Sequence, residues 1–416
     1  MKNVRKEVLE AIKPSKKEKG QLQKSITATL KKLNGSLKRA KAIIGGSGAK
    51  GTFLKNQKDA DIFVLYEKEF SHNHNISDEL EKTIKSLFPI YQRIHGSRDY
   101  FQVKNDVLFE FVPIIKIRRP SEAENITDIS PLHSAWVLKH ASEKQKDDIR
   151  LLKAFCKANH IYGAESHIKG FSGYVCEILI IHYGSFEKTL RSASAWKEKT
   201  VIDPAKYYKR KNVFMAMNAS KIQAPLIIVD PVQESRNAAA ALSADCFHAF
   251  KDQAKKLQKK PSASFFRQKD MTKESIIRIA KNKPVFIVKA NLLDGKDDIV
   301  GSKALKVFTF LKAELERGGF VLLESQHQFQ GSAFMMWFIL EADPIPASFI
   351  HKGPPLSLPK HVAVFKKRYP SAKPVNGILQ VAVKRKFPRA GDLFKKSISS
   401  PYNKDKVKQI QQIHIA

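Results

Sequence analysis

The residues Gly46-Ser47-Gly48-Ala49-Lys50-Gly51 lead into Thr52, and Asp59-Ala60-Asp61 then opens the apolar stretch Ile62-Phe63-Val64-Leu65-Tyr66. Side chains alternate faces along a strand, so Asp59 and Asp61 share one face and Ala60 takes the other. Two carboxylates on one face can hold divalent ions, which activate an attacking hydroxyl and neutralise a leaving pyrophosphate. Magnesium suits that work, because it takes oxygen ligands and keeps several waters until substrate phosphates arrive. The preceding glycines, the Ser47 hydroxyl, exposed amides and the Lys50 ammonium supply a matching cradle for a triphosphate. A phosphate cradle beside a metal clamp points to nucleotidyl transfer.

Other uses of the glycine loop fit less well. Gly46, Gly48 and Gly51 match the weak G-x-G-x-x-G dinucleotide pattern, but the strand at Asp61 starts too soon for the crossover that fold requires. The phosphate loop of the Walker type also fails, since Lys50 precedes Gly51 and is not followed by Ser or Thr. An isolated D-x-D would read as a hairpin turn with two solvated aspartates, and it is the adjoining glycine-serine loop that shifts the balance. Val107-Leu108-Phe109-Glu110-Phe111-Val112-Pro113 places one carboxylate inside an apolar run. A glutamate there calls for a counter-charge or a metal, so Glu110 is the natural third ligand, with Asp106 as fallback. The bland reading of Glu110 is an edge-strand residue facing water.

The chain's charge names a class of partner. Against 40 acids stand 74 lysines and arginines, a formal net charge of +34 with pI near 9.9. That field concentrates nucleic acid and makes binding depend on salt through counterion release. The basic residues are spread along the chain and are not gathered on one amphipathic segment, so RNA is the expected partner and a membrane is not. No apolar run approaches membrane-spanning length and the start carries no signal-peptide core, so a cytoplasmic location is expected. Cys156, Cys176 and Cys246 are odd in number and sit among apolar neighbours, as buried thiols do. His72-Asn73-His74 reads as a polar surface loop.

The elements that must position the acids follow from periodicity. Leu22, Ile26, Leu30, Leu33 and Leu37 keep helical spacing behind a Ser15 to Glu18 capping box. Strands are predicted over residues 42–44, 61–66, 100–103 and 107–112, with a helix over 77–87. From 142 to about 256 the pattern is mainly helical, with a break at Gly170 to Gly173 before an apolar helix over 174–183. After Asp230-Pro231, residues 238–242 read as helix, which places Arg236 at or just before its first turn. Beyond Pro261 the pattern becomes mixed, with strands over 285–288 and 334–341 and a helix over 302–317. Lys384, Arg385, Lys386 and Arg389, around Phe387, combine charge with an aromatic ring as RNA grooves do. Residues from Ser399 onward are polar and lysine-rich and are expected to fray. The fold class is therefore α+β and multidomain.

At this point the motifs carry a resemblance. G-S-x-A-K-G-T, the D-x-D strand and Glu110-Phe111-Val112-Pro113 are similar to the archaeal-type (class I) CCA-adding enzymes, which are tRNA nucleotidyltransferases. The similarity continues through Pro131-Leu132-His133, Arg150-Leu151-Leu152-Lys153, Ile161-Tyr162-Gly163-Ala164-Glu165, Gly170-Phe171-Ser172-Gly173-Tyr174, Asp230-Pro231-Val232 and Arg236-Asn237. It covers most of the first 250 residues strongly and the remainder loosely. One departure is the third acid, normally aspartate in that family and here Glu110, longer by a methylene.

The resemblance implies a polymerase-β-like nucleotidyltransferase head with a mixed sheet (residues 1–140), a helical neck completing the nucleotide pocket (141–258) and an α+β tRNA-binding body and tail (259–416). It implies addition of C, C and A to the 3′ end of tRNA from CTP and ATP, with Mg2+ held by Asp59, Asp61 and Glu110. It further implies that Gly46, Ser47, Lys50, His133, Lys153 and Tyr162 meet the phosphates or sugar and that Arg236 faces the base. Read locally, His133 is a helix-start or core histidine, Lys153 a solvated lysine beside an apolar stripe, Tyr162 a core-covering ring, and Arg236 a partner of Glu234. The resemblance leaves room for a homodimer. Two rivals stay open: a poly(A) polymerase-like or oligoadenylate-forming enzyme with the same acids, and a non-catalytic RNA-binding protein.

Overall fold

The structure is a computed structural model that describes residues 1–57, 59–295 and 297–415. It divides into two compact units, residues 1–269 and 270–416.

The first unit opens with the helix Lys2–Ile12, followed by the helix Lys16–Ser36. The predicted capping box forms: Ser15 Oγ accepts from the Glu18 amide and the Glu18 carboxylate accepts from the Ser15 amide. Leu22, Ile26 and Leu33 turn into the core beneath a five-stranded sheet. Its strands are β1 (Ala40–Ile44), β2 (Asp59–Tyr66), β3 (Gln92–Ile94), β4 (Tyr100–Lys104) and β5 (Leu108–Ile115), in the order β1-β2-β5-β4-β3. β2 and β5 run parallel while the remaining pairs are antiparallel, so the sheet is mixed as expected. The helix Ile76–Leu87 covers the same core with Ile76, Leu80 and Ile84. Phe101 and Phe111, both fully buried, pair across β4 and β5 and each contributes about 2–3 kcal/mol of apolar burial.

A second core in this unit lies among the helices Glu143–Ala158, Gly173–Tyr183, Phe186–Ser194 and Ala244–Lys259. The first helix of the chain joins this core through Val8, so residues 2–12 pack with the helical region and not with the five-stranded sheet. The reading of residues 142–256 as mainly helical missed a small sheet. Its strands are β6 (Thr200–Ile202), β7 (Leu226–Asp230) and β8 (Gln233–Asn237), in that order. β7 is buried at every position, which removes the alternation that marks a strand and leaves only a short apolar run. Residues 238–242 form turns and no helix, because Asn237 Oδ1 takes the amides of Ile228 and Ala239 and folds the chain back.

The second unit pairs β9 (Val285–Asn291) with β10 (Leu322–Gln330) and β11 (Ala333–Leu340), β11 lying between them. The helix Asp297–Arg317 packs on one face through Ala304, Val307, Leu311 and Leu315. A separate sheet holds β12 (Ser348–Pro355), β13 (Lys373–Val375) and β14 (Ile378–Lys384), with β14 in the middle. The expectation that the chain frays after Ser399 is overturned. β15 (Gln409–Ile415) pairs antiparallel with the free edge of β9, so backbone ladder bonds hold a tail whose composition reads as loose.

Candidate active site

Asp59 and Asp61 stand on one face of β2, while Ala60 between them is buried in the core. The parallel register sets Asp61 opposite Glu110, and Asp59 opposite Leu108. β5 lies between β2 and β4, so Glu110 is an interior-strand residue and the edge-strand reading fails. Gln102 Nε2 donates to Glu110 Oε1 at 2.6 Å from the neighbouring strand. Burial, with Glu110 and then Asp59 as like charges, pushes the Asp61 carboxyl up to about 6. A buried carboxyl raised further by two acidic neighbours marks a place that favours a cation. Among the described residues no group of three or more His, Cys, Asp or Glu side chains forms a ready metal cage. Such an open set of hard oxygen donors fits an ion whose coordination is completed by water and substrate phosphates.

The glycine-serine segment is a single helical turn, Gly46–Lys50, and not an open loop. Gly45 N donates to Asp61 O at 2.7 Å, which ties the turn to β2. Gly46 has φ +55°, and a Cβ there would run into the Asp61 carboxylate. Gly51 ends the turn in the left-handed region at φ +66°. From the helix Glu143–Ala158, the buried Arg150 grips the exit: its Nε donates to Phe53 O at 3.0 Å and its Nη2 to Gly51 O. Ser47 is half-buried on this turn.

Lys50 and Lys153 meet over a residue that the sequence reading did not single out. Glu177, fully buried on the helix Gly173–Tyr183, accepts from Lys50 Nζ at 2.6 Å and from Lys153 Nζ at 2.9 Å. Thr52 Oγ1 donates to the same carboxylate at 2.8 Å. Burial pushes the Glu177 carboxyl up, but Lys153 and Lys50 outweigh it and hold the group down at about 2. Lys153 is therefore a buried, paired lysine, not a solvated one. Two ammonium groups share one carboxylate, so this cluster of three side chains has more cations than anions. Tyr162 is half-buried just beyond the helix Glu143–Ala158; a Cβ on Gly173 would fall 2.9 Å from its hydroxyl and 3.6 Å from Lys153 Nζ, so glycine lets the two side chains approach.

A second buried acid gathers the remaining predicted residues. Asp230, at the end of β7, accepts from His133 Nε2 at 3.0 Å, from Tyr174 Oη at 3.1 Å and from Arg236. The Val232 amide donates to it as well, at 3.0 Å. Burial pushes this carboxyl up, yet the hydrogen bond and charge of His133, with Val232 and Arg236, bring it below the usual carboxylate range. Arg236 lies on β8 and pairs with Asp230, so neither its placement at a helix start nor its pairing with Glu234 stands. The His133 and Tyr174 rings lie 4.2 Å apart, and Lys50 Nζ sits 6.0 Å from the Tyr174 ring centre. One contact path thus runs from Lys50 through Tyr174 and His133 to Asp230 and Arg236.

Glu177 and Asp230 were legible by one signal. Each is a lone acid in an apolar run, and such a residue is almost never fully buried without partners. The predicted RNA residues belong to the second unit and are described there alone. Lys384, Lys386 and Arg389 are exposed, whereas Arg385 is half-buried, donates to Gly318 O at 3.0 Å and lies 4.8 Å over the Phe349 ring.

Comparison with known proteins adds three family matches along the chain. Residues 24–133 match a nucleotidyltransferase domain, 147–267 the second domain of tRNA nucleotidyltransferase, and 284–412 the C-terminal domain of CCA-adding enzyme. The chain is 32% identical to the CCA-adding enzyme of Sulfolobus acidocaldarius over 85% of its length and 80% of that protein. It is 31% identical to that of Methanocaldococcus jannaschii over 94% and 89%. The Nanoarchaeum equitans CCA-adding enzyme is 44% identical over 48% of this chain and 50% of that one. Among solved structures, an RNA terminal uridylyl transferase superposes with TM-score 0.51 at 13% identity, over 65% of this chain and 98% of its own, a likeness of fold alone. No described helix is long and apolar enough to cross a membrane.

Proposed function

The chain belongs to the CCA-adding enzyme family, and we propose that it adds C, C and A to the 3′ end of tRNA from CTP and ATP without a nucleic-acid template. The observation that carries this reading is Asp61 set opposite Glu110 and raised by burial and then by like charge, beside a helical turn whose Lys50 lies near enough to Asp61 to oppose that rise.

The terminal 3′-hydroxyl attacks the α-phosphorus of the bound nucleotide; the new O3′–P bond forms as the bond to pyrophosphate breaks. Asp59, Asp61 and Glu110 would hold divalent ions, Mg2+ in our reading, and the ions would supply acidification of the hydroxyl and neutralisation of the leaving group. The Gly46–Lys50 turn presents amides and the Ser47 hydroxyl to the triphosphate. Lys50 and Lys153, both held by Glu177, supply ammonium groups to the triphosphate. His133 and Tyr162 bound the sugar and phosphates, and Arg236, oriented through Asp230, faces the base, where a planar guanidinium can donate two parallel hydrogen bonds. Residues 1–140 form the catalytic head, 141–258 complete the nucleotide pocket, and 259–416 dock tRNA, with Lys384, Lys386 and Arg389 on the exposed side.

The test is incubation of the protein with a tRNA ending before CCA and each of the four labelled triphosphates, alone and combined. Ordered addition of C, C and A is expected. Repeated addition of A alone, or incorporation of U, points to a different terminal transferase.

A further inference from the structure

Residues 204–229 carry five lysines and arginines and no acid. Lys206, Lys209, Arg210 and Lys211 are exposed, and none takes part in an ion pair among the described residues. Next to them Tyr207 is 39% exposed, Phe214 42% and Met215 85%. Solubility needs the charges but gains nothing from three exposed apolar side chains among them.

This surface is held in place. Val213 and Met217 are buried against Ile227 and Val229 of β7, so Phe214 and Met215 are turned outward from a packed base. Tyr207 Oη donates to Pro231 O at 2.9 Å and Tyr208 Oη to Glu234 O at 3.0 Å. Lys221 Nζ donates to Ser235 O at 2.9 Å. All three acceptors lie on the β7–β8 hairpin that carries Asp230 and Arg236, so the surface adjoins the wall of the nucleotide site.

From this juxtaposition we infer that residues 206–215 are a binding platform for the single-stranded 3′ end of the RNA acceptor. Lys206, Lys209, Arg210 and Lys211 meet its phosphates, and Phe214, with Met215 beside it, takes a base. Unpaired cations interleaved with exposed aromatic surface are what single-stranded RNA requires, because stacking accepts any base while the charges follow the backbone. The inference rests on the reading of the chain as an RNA nucleotidyltransferase and gives that reaction an acceptor-strand contact in the first unit.

The test uses the full-length protein and a fluorescent tRNA ending before CCA, with binding followed across salt concentrations. A variant combining Lys206→Gln, Lys209→Gln, Arg210→Gln and Lys211→Gln is expected to bind about tenfold more weakly near 0.1 M salt. The slope of log affinity against log salt should become shallower by about 3. Phe214→Ala with Met215→Ala should weaken binding about fivefold at an unchanged slope. CTP binding and melting temperature at wild-type values show that both variants are folded. Unchanged affinity and slope in both variants overturn the inference, as does loss of affinity for polyglutamate without loss for RNA, which assigns the surface to an acidic protein. If the wild type adds no nucleotide while the variants still lose RNA affinity, the reading of the activity falls and the platform stands.

Discussion

Asp61 on β2 faces Glu110 on β5 in a parallel register, two acids on adjacent strands set side by side by backbone pairing. The pairing fixes where the charges meet, and burial makes their repulsion felt. What completes the arrangement is the absence of a side chain at Gly46, whose backbone lies against the Asp61 carboxylate.

Gly46→Ala is therefore expected to disable the site while leaving the sheet intact. The new methyl group meets the Asp61 carboxylate, and the residue must hold φ +55°, a conformation costing an L side chain about 1–2 kcal/mol. Nucleotide incorporation should fall at least ~100-fold, as a misplaced reacting group does. Circular dichroism should remain that of the wild type. Retention of full activity contradicts the close approach.

Glu177 yields a pH signature. Its folded carboxyl sits at about 2 against an ordinary value of 4.5, so its contribution to stability is fully present above pH 4.5 and is lost as pH falls toward 2. Glu177→Gln leaves Lys50 and Lys153 without their shared counter-charge and should destabilise the protein by about 3 kcal/mol at neutral pH. In urea unfolding, the gap between the two proteins should be constant from pH 7 to 5 and narrow below pH 4.5. A gap that does not change with pH refutes this role.

Asp230→Asn should separate nucleotide handling from RNA binding. The amide keeps the size of the side chain but loses the charge that holds His133 and Arg236. KM for CTP and ATP is expected to rise about tenfold or more, matching the loss of roughly 1.5–3 kcal/mol for hydrogen bonds to a charged group. Affinity for tRNA should not move. Equal loss in both would make Asp230 a general stabiliser of the fold.

Much of this was readable in the chain because the signals were local. The capping box at Ser15 and Glu18, the apolar stripe from Leu22 to Leu33 and the strand begun by Asp59 each depend on residues a few positions apart. The clustering of Lys50 with Lys153 and of His133 with Arg236 depends on contacts between residues about 100 apart, which no spacing rule reveals. The roles of His133, Lys153 and Arg236 came from family resemblance, and the local readings of Lys153 as solvated and of Arg236 as a partner of Glu234 were wrong. β7 escaped notice because it is buried on both faces, and β15 because its stability comes from the edge of β9 and not from its own composition. Glu177 and Asp230, buried and charged at the junctions of the two clusters, are where sequence logic had a signal and did not use it.

The most direct measurement is the single-turnover rate of CMP and AMP addition to a tRNA ending before CCA by the wild type and by Asp61→Asn, with RNA affinity measured on the same samples. Losing a carboxylate that supplies several kcal/mol of charge stabilisation should cut the rate by ~10³-fold or more while tRNA affinity stays within about twofold. Addition at the wild-type rate by Asp61→Asn would contradict the account, because the acids on β2 and β5 would then have no part in the chemistry.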